Sequence, residues 1–244
     1  MTIALLSDIH ANLPALEAAF ESMDAHAPDA VYCLGDLIGY HIWPNEVVQL
    51  IRRRGIATIA GNHDVKMQKL TATDLNQVQN YAYSLVGADE KKYLLSLPAH
   101  IRLTFNFDNV QLNMLLVHGS PSSNKEYLLE DKDETEFLQV FANAGADMIC
   151  FGHSHKAYHR VLQAGTGIPV CYHAINAGSV GKPKDGTPDG CYALITLDAN
   201  SSPLDKDSIT VQFIRFSYDV EKAATAIEAS PLPNTLADML RKGY

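Results

Sequence analysis

Eight side chains able to ligate a metal or handle a proton stand at a recurring kind of position in this chain: Asp8, His10, Asp36, Asn62, His63, His118, His153 and His155. Each follows a short apolar run that breaks off abruptly into polar residues. Ile3-Ala4-Leu5-Leu6 runs into Ser7-Asp8-Ile9-His10, Val31 to Leu34 into Gly35-Asp36, and Ile56 to Ala60 into Gly61-Asn62-His63-Asp64. Leu112 to Val117 runs into His118-Gly119, and Met148 to Phe151 into Gly152-His153-Ser154-His155. A lone histidine at the end of a strand is more often a satisfied polar residue than a ligand, and His-X-His or Gly-Asp alone is a weak signal. The joint pattern carries the weight: five of the ten histidines stand at such ends, beside two aspartates and an asparagine.

Oxygen and imidazole donors without a thiolate suit manganese, iron, zinc, cobalt or nickel. Eight exceed what one ion needs and fit two ions that share a carboxylate. Two metals about 3.5–4 Å apart can clamp the attacking and leaving oxygens of an in-line displacement, and a hydroxide bridging them is available near neutral pH. Two carboxylates against two dications leave a net charge of roughly +2, so such a site attracts phosphate even in an acidic protein. Rival chemistries fail on spacing. Gly178 to Lys182 has the wrong glycine spacing for a P-loop, and Pro183 replaces its Ser/Thr. Lys156-Ala157 follows His155 where a metallo-β-lactamase-like site needs Asp-His, and no Gly-X-Ser-X-Gly elbow occurs.

The elements that must position these residues read as strands buried on both faces, because the runs are rich in Val, Ile and Leu with little alternation. Helices separate several of them. Leu13, Leu16, Phe20 and Met23 recur at helical spacing behind Asn12 as N-cap, with Pro14 in the first turn. Pro44 opens a second helix through Val47, Val48 and Ile51, and Phe137, Leu138 and Phe141 mark another ending near Gly145. Strand–helix–strand repetition implies a largely parallel, helix-covered sheet, whose ligands bind at the carboxyl ends of the strands. A helical stretch is expected at about 65–97. Beyond Gly165, Ile168–Ile175, Cys191–Leu197 and Ile209–Phe216 read as strands, expected to be antiparallel to one another, with helices near Val220–Ala229 and Thr235–Arg241.

The chain has 244 residues, 47% of them hydrophobic and 19% charged, which is ordinary globular composition. Residues 1–244 are expected to form one domain carrying the helical insertion at about 65–97. A net charge of −9 argues against bulk nucleic-acid binding, which needs a basic face. The densest basic run, Arg52-Arg53-Arg54, reads as a solvated helix end. No apolar run is long enough to span a bilayer. Cys33, Cys150, Cys171 and Cys191 sit in apolar, strand-like runs and read as reduced thiols, so a cytoplasmic location is expected.

In this order, Asp8-Ile9-His10, Gly35-Asp36, Gly61-Asn62-His63-Asp64, His118-Gly119 and Gly152-His153-Ser154-His155 resemble the calcineurin-like metallophosphoesterase superfamily. Ser7 to Asn12 and Asn176-Ala177-Gly178-Ser179-Val180-Gly181 look like its small bacterial phosphodiesterase branch. The resemblance extends from Met1 to about Gly186 and is less clear after Leu197. It implies an α/β fold, a four-layer αββα sandwich of two mixed sheets flanked by helices. It implies Asp8, His10 and His155 on one metal, Asn62, His118 and His153 on a second, Asp36 bridging both, and His63 facing the leaving-group or a phosphate oxygen. Manganese is the first choice of metal, with iron, zinc, cobalt or nickel as alternatives.

The expected function is therefore hydrolysis of a small phosphodiester or phosphomonoester through a metal-bridging hydroxide, with a non-catalytic scaffold of the same fold as the alternative. The expected partner is the small phosphate-ester substrate, without bulk nucleic acid or a membrane; the sequence leaves oligomeric state open. It also leaves open the roles of Asn12 (N-cap or phosphate contact), Asp64 (orienting His63 or capping a turn), Tyr40, His41 and Trp43 (site mouth or loop packing), Lys125 and Tyr127. Two segments depart from the branch: His41-Ile42-Trp43-Pro44 after Tyr40, and Ser122-Ser123-Asn124-Lys125 after His118-Gly119-Ser120-Pro121.

Overall fold

The computed structural model describes residues 1–107, 110–165 and 170–244. In chain order the elements begin β1 (Thr2–Leu6), α1 (Leu13–His26), β2 (Ala30–Cys33), α2 (Pro44–Arg53) and β3 (Ala57–Thr58). Four short helices follow: α3 (Asn62–Lys66), α4 (Ala72–Leu75), α5 (Tyr81–Ser84) and α6 (Ala88–Ser96), with a 3-10 turn at Val78–Asn80. Then come β4 (Ile101–Phe107), β5 (Val110–Leu116), α7 (Glu134–Ala144), β6 (Met148–Phe151), β7 (Tyr158–Ala164) and β8 (Val170–Asn176). The chain closes with β9 (Gly190–Thr196), β10 (Thr210–Phe216), α8 (Val220–Glu228) and α9 (Thr235–Lys242).

Two five-stranded mixed sheets result, ordered β10-β9-β1-β2-β3 and β4-β5-β6-β8-β7. Each has three parallel strands, β1-β2-β3 in one and β5-β6-β8 in the other, with antiparallel strands added at the edges. Side chains alternate across each strand, which sorts the apolar runs into layers. Ile3 and Leu5 of β1 pack with Met114 and Leu116 of β5 and Ile175 of β8 in the core between the sheets. Ala4 and Leu6 turn the other way, onto Leu16, Phe20 and Val47 of α1 and α2. Leu115 and Ile149 face Phe137 and Phe141 of α7. Each fully buried Leu, Ile or Phe is worth about 1.5–3 kcal/mol, so an alternation slip of one residue would cost a whole layer.

Several sequence expectations are modified. The three late strands do not form one antiparallel group: β8 joins the second sheet, parallel to β6, while β9 and β10 pair antiparallel in the first. Ile168 and Pro169, where that first strand was expected to begin, lie outside the described residues. The run Ile56–Ala60 shortens to two strand residues, because the Ala60 N–H leaves the sheet for Pro98 O at 2.8 Å. Strands β4 and β7 were not anticipated. Asn12 does cap α1, accepting from the Ala15 N–H at 3.2 Å, and Gly145 ends α7 in the left-handed conformation. Among the described residues no helix is long and apolar enough to cross a membrane. All four cysteines are buried free thiols.

Candidate metal centre

Both sheets present the carboxyl ends of their parallel strands to one rim. Asp8 and His10 follow β1, Asp36 follows β2, and Asn62 and His63 open α3 just beyond β3. His118 follows β5, and His153 and His155 follow β6. The loops are knitted together by backbone bonds: the Asp8 N–H donates to Gly35 O at 3.1 Å, and the His10 N–H to Asp36 O at 2.9 Å. Asp8, His10, Asp36, His153 and His155 all take left-handed backbone conformations, φ 54°, 52°, 55°, 65° and 61°. Residues other than glycine held there cost of order 1–3 kcal/mol each and concentrate at functional sites. Gly152 has no side chain because a Cβ there would collide with Ser7 Oγ and Asp8 Oδ2.

The side chains converge in overlapping groups of potential ligands: Asp8, His10 and His155; His10, Asp36 and His63; and Asp36, His118 and His153, each within 4.8 Å. Asp36 Oδ2 lies 3.7 Å from His10 Nε2 and 3.3 Å from His118 Nε2, so one carboxylate serves both halves. Asn62 Oδ1 lies 3.0 Å from His118 Nε2, which puts the amide in the second half. Every residue expected at the metals is thus brought to one place. His63, expected to face a substrate oxygen, stands beside them, within ligand range of His10 and Asp36.

The hydrogen bonds of the rings define what these atoms can do. His10 Nδ1 meets Ile38 O at 3.1 Å, His118 Nδ1 meets Leu34 O at 2.8 Å, and His155 Nδ1 meets Lys182 O at 2.5 Å. A carbonyl only accepts, so each Nδ1 carries the proton and, in the neutral ring, each Nε2 offers a lone pair. Yet His10 Nε2 and His155 Nε2 are 3.1 Å apart, and His155 Nε2 is 3.1 Å from Asp8 Oδ1, which has no hydrogen-bond donor. His153 Nε2 is also buried without a partner. Lone pairs facing one another in a dry pocket repel unless a cation sits among them. The donor set and its orphaned atoms therefore fit divalent metal ions.

The electrostatics agree. Burial opposes the imidazolium of His118, but the Asp36 and Asp8 carboxylates overcome it and raise its pKa to about 10. Burial alone would raise Asp36, yet His118, His63 and His10 hold it well below the usual carboxylate range. The pocket calls for positive charge around two ionised carboxylates.

Around this cluster several open questions resolve. The Asp64 carboxylate faces backbone amides, not His63, and its role is structural. Asn12 is fully buried, its amide donating to Gly181 O and Tyr218 Oη, so it holds backbone. Trp43 packs with Ala82 and Ala224. His41 Nδ1 pairs with His10 O at 2.7 Å. Tyr127 stacks on the His153 ring at 4.2 Å, and the Lys125 side chain is exposed. Of the two tyrosines beside His63, Tyr40 was among the open candidates and stands at the site, whereas Tyr83 was not anticipated. Tyr83 places its hydroxyl 2.5 Å from His63 Nδ1, and the Tyr40 ring stands 4.7 Å from His10 and 4.8 Å from His63. Tyr83 carried no signal, being one apolar position among many in the helical stretch.

Residues 1–200 match the model of the calcineurin-like phosphoesterase superfamily domain. The chain belongs to the calcineurin-like phosphoesterase superfamily. An uncharacterized protein of Methanocaldococcus jannaschii is 30% identical over 263 residues, covering 99% of this chain and 98% of the relative. The structure of a metallophosphoesterase from Sphaerobacter thermophilus is 28% identical with a TM-score of 0.76, and each chain is covered completely. A hypothetical protein of Pyrococcus horikoshii shares the fold at 21% identity and a TM-score of 0.78, over 100% of this chain and 98% of that one. The calcineurin-like fold places its His/Asp groups where phosphoesterase chemistry needs metals, at the shared rim of the two sheets.

Proposed function

We propose that this chain hydrolyses a small phosphate ester, a diester or a monoester, with two divalent metal ions, manganese first. The observation that carries this reading is the convergence of two ligand groups on one carboxylate, Asp36, with the Nε2 atoms of His10 and His155 crowded to 3.1 Å. Asp8, His10 and His155 would hold one ion, Asn62, His118 and His153 the other, and Asp36 both. Such a pair, when bound, acidifies water toward neutral pH and withdraws charge from a phosphate.

The chain's own residues do the rest. The Nδ1-to-carbonyl bonds of His10, His118 and His155 lock the rings with Nε2 inward, so no reorganisation is needed as charge develops. Asn62 and His63, less buried than the carboxylates, line the side from which substrate arrives. Burial, reinforced by His10 and His118, lowers the His63 pKa to about 3 against the pull of Asp36, so its ring is neutral. Tyr83 keeps its phenolic proton because burial raises its pKa. Its hydroxyl donates to His63 Nδ1 and leaves the Nε2–H as the donor toward a phosphate or leaving-group oxygen.

Turnover of bis(p-nitrophenyl) phosphate and p-nitrophenyl phosphate with Mn²⁺ tests the reading. Asp36→Ala and His118→Ala are expected to abolish it while the protein stays folded by circular dichroism; wild-type rates in the folded variants would refute it. Absence of hydrolysis across several esters and metals would favour the scaffold alternative, against which every motif histidine is retained.

A further inference from the structure

Next to His155 the chain carries positive charge that the metal ligands do not use. Lys182 is 3% exposed, and its Nζ is buried without a hydrogen-bond partner. Its backbone holds the site, since Lys182 O accepts from His155 Nδ1. Its ammonium lies 5.0 Å from the centroid of the Tyr40 ring, which in turn contacts His10 and His63. Two residues on, half-buried Lys184 stands in the field of the Asp8 and Asp36 carboxylates and of Lys156, which is exposed.

Among the described residues none of these three lysines has a carboxylate within 4.0 Å, and the nearest acid in sequence, Asp185, is paired with Arg215. Burying an unpaired ammonium costs several kcal/mol. In a chain of net charge −9, a buried cation without a counter-ion, one ring away from a phosphate site, calls for an anion supplied by the ligand.

We propose that Lys182 and Lys184 form a second anion subsite beside the metal centre, which holds the phosphate next to the one being cleaved. This rests on the phosphoesterase reading and narrows its substrate to esters with at least two linked phosphates. Lys184 meets the second phosphate first. Tyr40, held in a left-handed backbone conformation at φ 64°, covers Lys182, and turning its ring aside exposes the ammonium to the same group.

The test compares binding of inorganic pyrophosphate and inorganic orthophosphate to the Mn²⁺-loaded protein by titration calorimetry at one fixed free Mn²⁺ concentration. Identical solutions are used for every variant, so chelation cancels. The wild type is expected to prefer pyrophosphate at least tenfold, and Lys184→Gln and Lys182→Met each to cut that preference to about twofold. Lys182→Met keeps the apolar stem and removes the unpaired charge, so its melting temperature without ligand should hold or rise. A purely structural lysine would show a drop in melting temperature with the preference intact, and that result overturns the proposal, as does an unchanged preference in Lys184→Gln or none in the wild type. Hydrolysis of bis(p-nitrophenyl) phosphate and of ADP, an ester with two linked phosphates, is followed in parallel. If neither is hydrolysed while the lysine-dependent preference holds, the hydrolase reading falls and the subsite stands. If hydrolysis succeeds without that preference, the subsite falls alone.

Discussion

The Asp64 carboxylate holds Asp36 in place: it accepts the backbone N–H of Asp36 at 2.8 Å, and those of Leu37 at 3.0 Å and Gly61 at 2.9 Å. One buried side chain thereby ties the loop after β2 to the start of α3, and so fixes the carboxylate common to both ligand groups. Asp64→Asn replaces an acceptor-only group by one whose NH2 must face an N–H. The loss should be about 1–3 kcal/mol, read as a melting temperature several degrees lower. Metal affinity should fall about 10–100-fold, the usual effect of removing a group that orients ligands. Competition with a chelating dye measures it, and wild-type metal affinity in the variant would show that this tie is dispensable.

Asp64 also shows what a sequence reveals and what it hides. The residues at the rim were legible because strands buried on both faces are uniformly apolar, so a ligand at a strand end breaks the pattern sharply. Contacts made by the side chain of one element to the backbone of another left no such mark. Tyr83 reaches His63 from 20 residues away, and its phase depends on how the short helices α3 to α6 break. Lys182 stood out only as part of a failed P-loop. Strand β4 did carry a signal: Ile101, Leu103, Phe105 and Phe107 alternate with Arg102, Thr104 and Asn106, as a strand half-exposed at a sheet edge should. The shortness of β3 was not legible, since it depends on Ala60 finding Pro98.

Tyr83 should act through His63. Tyr83→Phe removes the hydroxyl that orients the ring and is expected to lower kcat about tenfold with KM little changed. His63→Ala should lose about 10²–10⁴-fold, the range for a proton-transferring group. A Cβ at Gly39 would stand 2.5 Å from His63 Nδ1, so Gly39→Ala, strained in addition at φ 96°, should resemble His63→Ala in rate. Steady-state kinetics on bis(p-nitrophenyl) phosphate decide. Equal rates for wild type and Tyr83→Phe would remove Tyr83 from the account.

Stability should depend on pH through a histidine outside the potential ligand groups. His173 lies in the interior with Nδ1 3.0 Å from His159 Nε2 and Nε2 unpartnered. Burial, with His159 beside it, pushes its pKa down to about 4. The unfolded chain, with an ordinary value of about 6.5, takes up the proton first. The contribution is therefore complete above about pH 6.5 and is lost as pH falls toward 4, by about 1–3 kcal/mol. Melting temperatures measured from pH 7.5 to 4.5 should fall less steeply in His173→Leu than in wild type. Parallel curves would count against a neutral buried His173.

The proposed metal pair is open to direct counting. Elemental analysis of protein saturated with Mn²⁺ and freed of excess metal should give two ions per chain, with Asp36→Ala dropping to one or fewer. Weakened binding in both ligand groups on changing one side chain is what a shared carboxylate predicts; a wild-type chain that holds a single ion, or none, at saturation would contradict the account.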